Sequence, residues 1–226
     1  MSVQGKLGFR ILPSAEPIDA ALLDRFRPLS SCTVADAMGR FNFMHPAIQA
    51  RTGLPLCGVA VTVNARPGDN LMIHKVMQVA RAGEIVVVNT GENITSAVFG
   101  DMICETSVAM GIGGIVVDGA IRDVDGIRQL GFPAFSRAVS PGSCDRDGPG
   151  EINVPISCGG IVVCPGDIVV GDADGVAVVP RAHAEEVLAT AQLMMERERL
   201  RIAEIKSGTT FNVAIDETLR RHGVIA

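Results

Sequence analysis

Two short stretches put charged side chains where chemistry is possible. In "GGIVVDGAIRD" an apolar run ends in Asp118-Gly119, and Arg122 and Asp123 follow at once. In "TSAVFGDMICE" Gly100-Asp101 ends a Gly-bounded loop after another apolar run and opens a helix. Ligands of α/β proteins usually sit at the carboxyl ends of strands. Two successive βα units would therefore present Asp101 and Asp123 at one edge of a sheet. Two or three carboxylates with water around one hard cation is how proteins hold Mg²⁺ or Mn²⁺. An arginine beside such a site binds a carboxylate or a developing enolate. The free backbone N–H groups of Gly100, Asp101, Met102 and Ile103, at a helix N-terminus, suit an anion. Together these residues suggest a site for a small anionic substrate chelated to a metal. A plainer reading stands beside it: Asp123 caps the helix "VDGIRQLG" and Arg122 is solvated.

Other chemistries find less support. A Schiff base needs a desolvated lysine in the site. The chain has only Lys6, Lys75 and Lys206, and none is well placed. "AGEIVVVNTGEN" has the strand-Gly-acid look of a nucleotide site but lacks G-x-G-x-x-G and a P-loop. The four histidines show no ligand spacing, and none of the six cysteines forms C-x-x-C, so a zinc site is not expected. The cysteines read as reduced thiols of a cytoplasmic protein.

Alternating elements must position the candidate residues. Helices are expected over "SAEPIDAALLDRFRPL", with Ser14 or Asp19 as cap, and over "SSCTVADAMG", capped by Ser31 or Thr33. "GVAVTVNA", "EIVVVNT", "IGGIVVDG" and "FPAFSRA" read as strands, and "NLMIHKVMQVARAG", "DMICETSVAMG" and "VDGIRQLG" as intervening helices. "GENITSAVFGD" reads as a loop. "GGIVVCPGDIVVGDADGVAVVP" reads as a β-meander with P-G-D and D-G turns. A long helix, 181–206, and a small tail helix follow. The expectation is one domain over 1–226, with a core at about 31–180 and a C-terminal helical extension over 181–226.

Composition limits the partners. The 226 residues include no Trp, no Tyr and 8 Phe, and carry a formal net charge of −5. A nucleic-acid binder would show a basic footprint or stacking aromatics, so none is expected. "ERERLRIAEIK" alternates signs and reads as a solvated helix face. No run is apolar and long enough to span a bilayer, and the N-terminus lacks a signal-peptide pattern. A mean hydropathy of +0.32 points to apolar surface buried between subunits.

The order of "FGDMICETSVAMGIGGIVVDGAIRDVDGI", "FPAFSR" and "PGDIVVGDADGVAVVP" resembles the RraA-like family, over roughly Ser31 to Gly208. That family includes class II pyruvate aldolases acting on 4-hydroxy-4-methyl-2-oxoglutarate and 4-carboxy-4-hydroxy-2-oxoadipate. It also includes RraA, a protein regulator of ribonuclease E. The resemblance implies an α/β fold, a β/β/α sandwich like the swivelling phosphohistidine domain, with N- and C-terminal helical extensions. It implies trimers or hexamers with sites between subunits, and Mg²⁺ or Mn²⁺ as cofactor. Asp123 would ligate the metal directly, with Asp101 and Glu198 acting through water. Arg122 would bind the pyruvyl part, and the backbone near Met102 and Ile103 its carboxylate. Glu198 would come from a neighbouring subunit's C-terminal helix, with Glu196 as the fallback. The implied activity is cleavage of a 4-hydroxy-2-oxo acid to pyruvate and a second oxo acid, with oxaloacetate decarboxylation through the same enolate. The alternatives are a non-catalytic RraA-type regulatory or binding protein, or a related 2-oxo acid lyase or decarboxylase. The determinants of the group beyond C4 are expected in variable loops such as "SPGSCDRDGPGEINVP", whose composition says nothing of its shape.

Overall fold

A computed structural model describes residues 3–226. The chain opens with a hairpin, β1 (Gln4–Lys6) and β2 (Phe9–Ile11), ahead of helices α1 (Ala20–Phe26) and α2 (Ser31–Ala37). The N-terminal extension thus contains strand as well as helix. Asp19 caps α1 by accepting from the Ala21 N–H. The cap of α2 is Ser30, whose hydroxyl accepts from the Thr33 N–H. Ser31 is instead turned to Asp172, donating to it from both its backbone N–H and its hydroxyl at 2.7 Å.

Next come β3 (Gln49–Ala50), β4 (Leu56–Ala65), α3 (Leu71–Val76), β5 (Ile85–Asn89), β6 (Ala97–Phe99) and α4 (Asp101–Ala109). Helix α3 is shorter than the apolar pattern suggested. The expected loop over "GENITSAVFGD" contains β6, a three-residue strand paired parallel to its successor. Then follow β7 (Gly114–Ile121), α5 (Val124–Gln129), β8 (Ala134–Val139), β9 (Gly150–Ile152), β10 (Ile156–Cys158), β11 (Ile161–Val163), β12 (Ile168–Asp172) and β13 (Gly175–Val179). Helices α6 (Ala184–Lys206) and α7 (Val213–Arg221) end the chain.

The β-branched runs predicted as strands form the middle of one mixed sheet. Its order is β1-β2-β9-β4-β5-β7-β8-β3, and β4, β5, β7 and β8 are mutually parallel. Every residue of β7 is buried, as a strand covered on both faces must be. One face carries α3, α4 and α5 over a core that includes Ile73, Val88, Cys104, Val117 and Ile127. The long β4 also pairs antiparallel with β12 through Leu56–Val59. It thereby joins the central sheet to the β12–β13 layer, which packs on α1, α2 and α6 through Phe26, Val34, Ile168 and Leu188. The result is a layered α/β fold. Among the described residues, no helix is long and apolar enough to cross a membrane.

Candidate functional site

The site lies at the carboxyl ends of β6 and β7. The Arg122 N–H donates to the Phe99 carbonyl at 2.9 Å, so the chain leaving β7 is tied to the residue before Gly100. That bond sets Arg122 and Asp123 beside Gly100 and Asp101. Gly100 is extended, at φ −150°, and begins α4. A Cβ there would stand 2.6 Å from Asp123 Oδ2 and 3.2 Å from Arg122 Cγ. The missing side chain is the space the Asp123 carboxylate occupies.

Asp123 precedes α5 in the left-handed conformation, at φ 57° and ψ 35°, and its side chain makes no capping bond. The helix-cap reading of this carboxylate is therefore incorrect. A non-glycine residue in that region costs about 1–2 kcal/mol, and such positions cluster at functional sites. Its Oδ2 lies 3.2 Å from Arg122 Nε, with both side chains partly open to solvent. Asp101 Oδ1 accepts from the Met102 N–H at 2.7 Å. Gly126 of α5 packs under Asp101, where a Cβ would be 3.3 Å from that of the aspartate.

These residues line a cavity of about 280 Å³ with Gly100, Asp101, Met102, Ile103, Arg122 and Asp123 on one side. Asn70, His74, Ser143, Cys144 and Arg146 form another wall. The sequence pointed to the segment 140–155 without its shape, and Asn70 and His74 were missed. Asn70 and His74 are four apart at the start of α3 and so share a face, which was the available signal. The 143–148 segment carried no signal of its course, since its composition says nothing of its shape. It is held by Asp69, which accepts from Leu71 N–H at 2.9 Å and from Asp147 and Gly148 N–H at 2.8 Å. Burial would raise the Asp69 carboxyl, but these three bonds and the Arg66 charge outweigh it and hold it below the usual range. Burial, with the charge of Arg146, lowers the His74 pKa and favours the neutral ring. Its Nε2 is buried without a hydrogen-bond partner.

Glu198 and Glu196 are exposed on α6 and line no part of this cavity. Glu196 is engaged by Arg199, whose Nε and Nη2 donate to its two oxygens at 2.8 and 2.7 Å. Glu198 has no ion-pair partner among the described residues. No cluster of three or more His, Cys, Asp and Glu side chains suited to a metal occurs among the described residues. Two carboxylates and open space remain, which suits a cation that keeps several waters, such as Mg²⁺. It does not suit a tetrahedral zinc centre.

The model of the RraA-like family, described as Aldolase/RraA, matches residues 31–178. A protein of Halalkalibacterium halodurans named "Putative 4-hydroxy-4-methyl-2-oxoglutarate aldolase" is 39% identical over 171 residues, which are 75% of this chain and 81% of that protein. A solved structure from Pseudomonas syringae pv. tomato superposes with a TM-score of 0.76 at 29% identity, covering 86% of this chain and 96% of the other. Streptomyces coelicolor RraAS2, described as an unusual member of the RNase ES inhibitor RraA protein family, gives 0.72 at 28% identity, covering 82% of this chain and 100% of the other.

Proposed function

The chain belongs to the RraA-like family, and from that premise we propose that it is a divalent-metal-dependent class II aldolase. It cleaves a 4-hydroxy-2-oxo acid to pyruvate and a second oxo acid. The observation that carries the reading is Asp123, a carboxylate in the left-handed region that caps nothing and fills the space left by Gly100 beside Arg122.

Asp123 would hold Mg²⁺ or Mn²⁺, with Asp101 reaching it through water. Bound there, the cation supplies a Lewis acid for the 2-oxo group. The substrate carboxylate lies at the N-terminus of α4, near the Met102 and Ile103 N–H groups. Asp101, through a water, accepts the proton of the 4-hydroxyl. The C3–C4 bond then breaks, its electrons pass to the pyruvyl half as an enolate, and C4 becomes the new carbonyl. The Arg122 guanidinium holds the growing negative charge on the enolate oxygen. Return of the proton to C3 gives pyruvate. Oxaloacetate loses CO₂ through the same enolate, so the same groups serve both reactions.

Glu198 would enter from a second copy. Beyond Ala191 the α6 side chains leave the core, and Leu193, Leu200, Ile202 and Ile205 are exposed, as is Ile215 of α7. Apolar surface on a projecting arm is what a trimer or hexamer covers. The engagement of Glu196 by Arg199 favours Glu198 as the free carboxylate.

The test is pyruvate release from 4-hydroxy-4-methyl-2-oxoglutarate and from oxaloacetate, with Mg²⁺ or Mn²⁺ and then with excess EDTA. Release that EDTA abolishes and metal restores is expected. A folded oligomer that binds metal and releases pyruvate from neither substrate would reject the aldolase reading in favour of a non-catalytic scaffold.

A further inference from the structure

The strand that delivers Arg122 and Asp123 is interrupted just before them. Up to Asp118, β7 pairs parallel with β5, the last pair being Asn89 and Asp118. From Ala120 onward β6 takes that place, pairing Ala97 with Ala120 and Phe99 with Ile121. On the other edge β7 stays in register with β8 as far as Val117 and Ser136, and resumes at Ala120 and Ala138. Asp118 and Gly119 thus stand opposite the single residue Arg137. Two residues facing one make a β-bulge, which bends its strand and, beside active sites, re-aims side chains.

An ion pair that the proposed chemistry does not use fixes this bulge. Asp118 is only 2% exposed. Its Oδ1 accepts from Arg137 Nε at 2.5 Å and its Oδ2 from the Gly159 N–H at 2.6 Å. Arg137 Nη2 also reaches Glu92 Oε1 at 3.3 Å. The backbone is tied on the opposite edge. Thr90 Oγ1 donates to the Asp118 carbonyl at 2.8 Å, and the Ala120 N–H to the Asn93 carbonyl at 2.9 Å. Gly119 makes room for these ties, since a Cβ there would run into Thr90 Oγ1 and the Asn93 carbonyl. Two residues further on comes the Arg122 N–H, whose bond to Phe99 sets the site. Neither Asp118 nor Arg137 lines the cavity, so the pair can act there only through the chain between. A buried ion pair is a weak source of stability, because desolvation offsets much of the attraction, and fixing register is its best-attested use.

We propose that Asp118 and Arg137 are positioning residues. By clamping the bulge they set the course of residues 119–123, and so hold Arg122 and Asp123 against Gly100. The inference rests on reading that cavity as a metal-dependent 2-oxo acid site.

The test separates positioning from support of the fold. Asp118→Asn is isosteric but leaves one acceptor oxygen for two donors, so one N–H faces the amide NH₂. Arg137→Lys keeps the charge without the fork that reaches both carboxylates. Val116→Ala, buried on the same strand ahead of the bulge, is the control. Each full-length variant is measured well below its Tm, for Mn²⁺ affinity by calorimetry and for kcat of pyruvate release. Asp118→Asn and Arg137→Lys should each weaken Mn²⁺ binding and lower kcat by about tenfold or more, as loss of groups that orient a metal ligand does. Val116→Ala should lower Tm and leave both unchanged. Affinity and kcat within about twofold of wild type in folded Asp118→Asn overturn the proposal, since groups that orient a metal ligand contribute more than that. Equal losses in Val116→Ala overturn it too, because the effect would then follow stability. Where Arg137→Lys fails to fold, Asp118→Asn carries the test. Amide exchange supplies a reading free of metal and turnover: in Asp118→Asn the Ala120 and Arg122 amides should exchange about tenfold faster while those of Ile115 to Val117 keep their protection. If the wild-type protein binds no Mn²⁺ and releases no pyruvate, the aldolase reading falls and the exchange result decides the positioning role by itself. Exchange that rises equally along all of β7, or nowhere, overturns that role.

Discussion

Gly100→Ala should separate activity from stability. The backbone at Gly100 is extended, so an alanine meets no conformational penalty there. Its Cβ, however, would stand 2.6 Å from Asp123 Oδ2, and ordinary contact begins at 3.4 Å. The carboxylate must therefore withdraw by about 0.8 Å, and Arg122, at 3.2 to 3.3 Å, must give by a few tenths. Both side chains are partly open to solvent and can swing at little cost. Removing a glycine also gains about 0.4–1 kcal/mol by restricting the unfolded chain. For a chain of this size that keeps Tm within about 4 °C of wild type or slightly above it. Turnover is the opposite case. A misplacement of about 1 Å in a reacting geometry can cost about 10²-fold, close to 2.7 kcal/mol of barrier. The assay pairs thermal unfolding with metal-dependent pyruvate release from 4-hydroxy-4-methyl-2-oxoglutarate. Wild-type kcat/KM in Gly100→Ala would refute the role given to the Asp123 carboxylate. A Tm lowered by ten degrees or more would instead mean that the Arg122–Asp123 arrangement holds the fold.

Arg122→Lys should lower kcat for both aldol cleavage and decarboxylation by at least about tenfold, because a point charge cannot replace the planar fork; near-normal turnover would argue against its place at the enolate oxygen. Glu198→Gln should lower turnover while Glu196→Gln leaves it unchanged, as read from steady-state kinetics, and the reverse result would exchange their roles. Asp69→Asn should loosen the 143–148 wall in a pH-dependent way. The Asp69 carboxyl is held below its usual range, so it stabilises the fold above the unfolded-state value of about 3.9. That contribution is lost as pH falls through its folded value. The Tm difference between wild type and Asp69→Asn should therefore be full at pH 5 and above and shrink below about pH 4. A difference independent of pH down to 3 would contradict this.

The parallel strands and the two charged strand ends were legible because each is a local pattern. Strand β7 is buried throughout and apolar but for Asp118, which Arg137 pairs, and the change from Val116-Val117 to Arg122-Asp123 marks where the chain leaves the sheet. What escaped the sequence is what depends on distant partners. Strand β6 is three residues long, and it exists because β7 offers it an edge and Phe99 accepts from Arg122. Strand β9 lies in a stretch with no strand pattern, yet it pairs with both β2 and β4. That pairing draws the 143–148 segment back over the cavity and brings Arg146 to Asn70, 76 positions away. The Asp123 cap reading failed for a similar reason. Aspartate is a favoured cap before a helix, but this one is left-handed and its carboxylate lies at Gly100 instead. In this fold the chemistry that sequence can suggest sits on the strand ends. The shape of the 143–148 segment is fixed instead by long-range hydrogen bonds, and that is why the strand-end residues were readable from the sequence and the shape of this segment was not.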